Sequence, residues 1–240
     1  MSAINFGDDT VSLIMDYEEM LIGNCASVGI WHFDLYSKSV CQQMVLSLIQ
    51  YVSERYLRWT PIQLYNQFTI EVAKKWKLAH LLSFIQFPVE LNPRTDLWYI
   101  AHLIYPNEIE LDNCFIYLCF YKKILSGEVK KFPPNYFSDD ATGRIKYKIF
   151  LKYAIQNNLC FSSISQLYQF FGSVRCRAFL REHKLYYPLL ECFSSPIVAF
   201  HESLSPSQRI PVLFNFCYFQ WSLKESDRLL SENRGRRSAH

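Results

Sequence analysis

Apolar residues recur along almost the whole chain at intervals of three and four, the spacing of one helix face, and strand-like alternation is nearly absent. The clearest stripe follows Ser39 and runs Val40, Met44, Val45, Leu48, Ile49, Val52, Tyr56. An opening helix is expected over residues 9–21, with Val11, Ile14, Met15 and Leu21 inward and Gly23-Asn24 ending it. Residues 25–37 suit a short strand or an extended loop. Thr60-Pro61 reads as an N-cap followed by proline at the first helical position, where its missing N–H is one of the unpaired donors anyway. Further helices are expected from Thr69 toward Phe87-Pro88, from Thr95-Asp96 to Tyr105-Pro106, and from Asp112 to Ser126, where Gly127 can take the left-handed C′ conformation. Residues 132–143 carry turn formers without periodicity and read as linker.

The later half follows the same succession, with helices expected over residues 142–157, 163–171 and 174–185. Gly172-Ser173 reads as the stop of one helix and the cap of the next. Ser195-Pro196 and Ser205-Pro206 open two more, and Pro211 is expected to break or kink the start of the last, which runs toward Leu230. The end of the chain, with Arg234, Arg236 and Arg237, lacks apolar anchors and reads as mobile.

Comparing the halves at an offset of 103 aligns Gln63-Leu64-Tyr65 with Gln166-Leu167-Tyr168, Phe68 with Phe171, His80 with His183 and Leu82 with Leu185. Caps and prolines recur in the same order. The expected fold is all-α: two tandem five-helix modules related by internal duplication, preceded by an acidic helical segment. The boundaries are residues 1–37 for that segment, 38–126 and 142–231 for the modules, 127–141 for the linker and 232–240 for a basic tail.

Composition agrees. Among 240 residues, 50% are hydrophobic and 20% charged, which excludes a disordered tail protein and allows a sizeable core. Aromatic residues reach 17%, so that core should be built from large rings. Neither a basic-then-apolar leader nor a run of 18 apolar residues occurs, so neither signal peptide nor membrane span is expected. The eight cysteines include no CxxC pair, which points to free thiols in a reducing, cytoplasmic setting.

Charge is uneven beneath a net +3. Residues 1–37 hold six acids and no Lys or Arg, whereas residues 142–240 hold fourteen bases against six acids. A basic half of this kind favours a polyanion. Residues 163–185 follow the grammar of a helix-turn-helix, whose second helix enters a DNA major groove. At 100° per residue, Arg177, Arg181 and Lys184 share one stripe of that helix, Arg175 lies at its start, and Cys176 and Phe179 face away. Guanidinium forks suit base edges and phosphates. The corresponding helix of the first module offers Lys74, Lys75 and Lys77, point charges suited to backbone contact.

Other chemistry is not indicated. His80, His102, His183 and His201 recur in pairs across the halves and are read as structural. Neither Cys176 with His183 nor Cys192 with His201 has a zinc-site spacing, so no metal is expected. No phosphate-cradling glycine loop, GxSxG elbow or HExxH occurs. The sequence therefore predicts a non-enzymatic nucleic-acid-binding protein without cofactor, a regulator or accessory factor with DNA ahead of RNA. The alternative is a helical adaptor for a protein partner; a small-molecule ligand is not expected.

Overall fold

Short polar side chains open many of the helices. In a computed structural model, which describes residues 8–25, 28, 33 and 36–237, Thr60 Oγ1 accepts from Gln63 N while Gln63 Oε1 accepts from Thr60 N, and Ser163 and Ser195 cap in the same way through their hydroxyls. Each such cap contributes about 1 kcal/mol by satisfying an unpaired N–H. Among the described residues there are twelve α-helices and no strand. No helix among them is long and apolar enough to cross a membrane, and all eight cysteines are free.

The chain falls into two compact units, Met1–Asp112 and Asn113–His240. The first holds α1 (Asp8–Leu21), α2 (Lys38–Val52, continued by a π-turn over Ser53–Leu57), α3 (Pro61–Gln67), α4 (Ile70–Lys75), a 3₁₀ turn (Leu81–Phe84) and α5 (Trp98–Ile104). The second holds α6 (Asn113–Ser126), α7 (Asp140–Asn158), α8 (Ile164–Phe171), α9 (Cys176–Glu182), α10 (Tyr186–Cys192), α11 (Pro196–Ser203), a 3₁₀ turn (Pro206–Gln208) and α12 (Pro211–Arg237). The break thus precedes α6, which the sequence reading had placed in the first module.

Within the first unit, α1 packs on α2, and its buried stripe is Leu13, Tyr17 and Met20. Val11 and Met15, expected inward, are exposed. The line through those two runs into Glu18, whereas the line through Leu13 and Tyr17 stays apolar and gives the Tyr17 hydroxyl a partner, the Trp76 carbonyl at 2.7 Å. Glu18 instead accepts from the hydroxyls of Tyr51 and Tyr56, which hold its carboxyl below the usual range. Gly23, at φ 88, ends α1 as expected. The strand-or-loop reading of residues 25–37 falls largely outside the described residues.

The second unit is built on rings: Tyr121, Tyr147, Phe150, Tyr168, Phe171 and Phe200 are all fully buried. Residues 132–137, expected to be linker, belong to this core. Phe132 stacks on Phe150 at 5.7 Å and on Tyr136 at 5.6 Å, and Phe137 is buried edge-on to both neighbours. This strap escaped the periodicity because it is held by individual aromatic contacts rather than by one face of a helix. At the other end, α12 begins at Pro211 and remains helical through residues expected to form a tail; residues 238–240 lie outside the described set.

The Tyr147 hydroxyl is buried in this core without a hydrogen-bond partner among the described residues, and burial raises its pKa well above the ordinary value. An orphaned donor of this kind destabilises the fold. Tyr147→Phe is therefore expected to stabilise the protein by about 1 kcal/mol, read as a higher urea midpoint at unchanged slope.

Candidate nucleic-acid interface

The expected probe helix is shorter than its sequence suggests. Ser173 does not cap α9; its hydroxyl donates back to the Phe170 carbonyl at 2.8 Å and closes α8. The chain then turns through Val174 and Arg175, so α9 spans only Cys176–Glu182. At its far end Leu185 is drawn into the core. Its N–H reaches the Leu180 carbonyl at 2.7 Å, which forces Lys184 into the left-handed region at φ 59. Cys176 and Phe179 do face inward, and burial pushes the Cys176 thiol up to about 12.

The basic residues separate accordingly. Arg177 turns toward α12, pairs with Glu225 and lies over the Trp221 ring at 4.9 Å, leaving its side chain only 16% exposed. It is a structural cation rather than an outward fork, a correction to the sequence reading. Arg175 is exposed at the N-cap of α9. Arg181 and Lys184 are exposed and converge, although Lys184 stands beyond the helix and not on its stripe. In the first unit, Lys74 and Lys75 are exposed on the last turn of α4, a position that the helix dipole favours for cations. Lys77, at φ 55, donates its Nζ to the Met20 carbonyl near the end of α1 at 3.2 Å and so acts as a C-terminal cap.

Arg181 and Lys184 line a cavity of about 440 Å³ together with Lys130 and Lys131. Those two lysines follow the left-handed Gly127 turn that closes α6, where Val129 N donates to the Lys123 carbonyl at 3.0 Å. The aromatic strap immediately after them fixes their backbone. They were missed because the segment was read as linker; the signal that existed was a Lys-Lys pair running directly into Phe132-Pro133-Pro134.

Aromatic rings complete the site. With Leu185 and Leu189 inward, the phase of α10 sends Tyr187 outward, 76% exposed, while Tyr186 lies sideways beneath the Arg181 guanidinium at 4.6 Å. The two tyrosine rings meet edge-on at 5.8 Å. Pro133, Pro134 and Pro188 stiffen the walls, and Glu191 is the acidic residue of a lining that holds four bases.

Residues 117–208, less than half of the chain, match a family model described as Protein of unknown function (DUF4046). The match covers the strap, α7 to α11 and all four cavity cations. No curated protein and no solved structure matches the chain.

Three of the histidines, His102, His183 and His201, are engaged structurally. His183 is buried, its Nδ1 lies 2.8 Å from the Phe179 carbonyl, and its ring packs on Phe179 at 4.3 Å. His201 Nδ1 lies 2.7 Å from the Tyr168 hydroxyl, and desolvation lowers its pKa. His102 Nδ1 lies 2.7 Å from the Ile109 carbonyl. His80 is exposed and does not share the setting of His183. Among the described residues no group of three or more His, Cys, Asp or Glu side chains is arranged to hold a metal ion.

Proposed function

We propose that this chain is a non-enzymatic nucleic-acid-binding protein, a regulator or accessory factor, whose main contact surface is the basic and aromatic cavity of the second unit. The observation that carries this reading is the convergence of Lys130, Lys131, Arg181 and Lys184 around two tyrosines. Cations that neutralise phosphates release counterions, and that release supplies most of the sequence-independent affinity for a polyanion. Arg175 adds an exposed charge at the start of α9, and Lys74 and Lys75 form a separate exposed patch on the first unit. The test is fluorescence anisotropy with a labelled oligonucleotide. If four phosphates are neutralised, affinity should fall roughly 50-fold between 50 and 200 mM salt; undetectable binding at the lower salt removes the proposal.

The proposal includes common descent of the two units. In each, a buried tyrosine donates to the carbonyl of the residue closing a short helix: Tyr17 to Trp76 at 2.7 Å, Tyr121 to His183 at 2.8 Å. The next residue is in each case a left-handed lysine, Lys77 or Lys184, followed by a core leucine whose N–H reaches back at 2.7 Å. By this register Lys74 corresponds to Arg181, and Trp76 rather than His80 corresponds to His183. One exposed stripe favours the adaptor as a second reading. Val212, Phe216, Phe219 and Leu223 repeat along the outer face of α12 at four-three-four spacing, with Val212 81% exposed.

A further inference from the structure

We infer that the cavity beside α9 and α10 takes a single unpaired nucleotide, with Tyr187 as stacking platform, so that the preferred ligand is single-stranded nucleic acid and not duplex. The inference rests on the nucleic-acid reading and narrows it.

Three features count against insertion of α9 into a major groove as the working geometry. The helix spans seven residues, its Arg177 is committed to Glu225 and Trp221, and its Arg181 folds back over Tyr186. Arg177 and Arg181 thus present no free guanidinium fork to a base edge, which leaves Arg175, exposed at the N-cap, as the remaining guanidinium at the helix tip. What the surface offers instead is a pocket. At about 440 Å³ it is within the range of clefts that enclose small organic ligands, and its walls combine exposed cations with a ring face.

A duplex hides its base faces in the stack, whereas an unpaired nucleotide presents one, with a phosphate on either side. Tyr187 supplies an open ring, and Arg181, over the Tyr186 ring at 4.6 Å, adds a charge beside it. Lys130 and Lys131 on the strap, and Lys184 beyond α9, supply charge for the flanking phosphates. Glu191 in the same lining is an acceptor suited to an exocyclic amino group. An extended strand satisfies these requirements together; a smooth duplex surface satisfies only the charges.

The experiment compares labelled 12-nucleotide single-stranded DNA, RNA of the same sequence and the matching DNA duplex against the full chain at low salt, with wild-type protein, Tyr187→Ala and Tyr187→Phe. Single strands should bind more tightly than the duplex, and the RNA and DNA arms distinguish the natural source. Tyr187→Ala should weaken single-strand binding about 5- to 150-fold, the worth of one base stacked on an aromatic ring, while Tyr187→Phe stays near wild type because stacking needs the ring and not the hydroxyl. Duplex binding equal to or tighter than single-strand binding, or an unaffected Tyr187→Ala, overturns the inference while leaving the nucleic-acid reading intact. Loss of all binding removes both. A nucleoside monophosphate that competes at the same concentration as the oligomer also overturns it, because the site would then be one for a free nucleotide.

Discussion

Replacing Lys130, Lys131, Arg181 and Lys184 together by alanine is expected to lower oligonucleotide affinity on the order of 500-fold at 0.1 M salt and to flatten its salt dependence from a log–log slope of about −3 toward zero. The size follows from counterion release: each neutralised phosphate of a single strand contributes about 0.7 to the slope, and the effect compounds over four contacts. The fold should survive. All four side chains are exposed, and alanine at position 184 keeps the Cβ that the left-handed backbone already tolerates. Anisotropy titrations across a salt series, with circular dichroism to confirm retained helix, read both quantities. Equal slopes for variant and wild type would show that phosphates are neutralised elsewhere.

Gly143→Ala is expected to destabilise the protein by about 3 kcal/mol, against the usual sign for such a change. Gly143 lies near the start of α7, where alanine would ordinarily favour the helix by up to about 1 kcal/mol. Here a Cβ would stand 2.3 Å from the Phe137 carbonyl oxygen and 2.8 Å from its carbon. Those are backbone atoms of a residue buried in the ring cluster, so the strap must shift or α7 must open. Gly127 offers the contrast: nothing lies within 4 Å of its added Cβ, and only its φ of 82 opposes alanine, a penalty of roughly 1–2 kcal/mol. Urea denaturation separates the two. Because the strap is continuous with Lys130 and Lys131, Gly143→Ala should also weaken oligonucleotide binding under native conditions, and Gly127→Ala should do so less.

How far the sequence could be read depended on which kind of interaction fixed each element. The stripe of α2, the caps at Thr60, Ser163 and Ser195, and the glycine stops at Gly23 and Gly127 are local signals, and the helices there begin and end close to the expected positions. Where two stripes competed on α1, long-range packing of Tyr17 chose between them. The strap left no periodic trace because its order comes from Phe132 and Phe137 both meeting the Phe150 ring of α7. At the site, Arg181 and Lys184 were visible as basic residues, but charge alone could not distinguish them from Arg177, whose partner Glu225 lies 48 positions away. Lys130 and Lys131 were hidden by the same aperiodicity as the strap.

Among the described residues, the non-glycine positions with positive φ are Arg58, Lys77, Asn135 and Lys184, three of them bases. A long side chain with a Cβ is held there at roughly 1–2 kcal/mol above what glycine would require. At positions 77 and 184 a glycine would give a sturdier bend at the close of each short helix, and the molecule forgoes it. The strain at those two corners is the cost of rooting an ammonium-bearing side chain at a fixed point of the backbone.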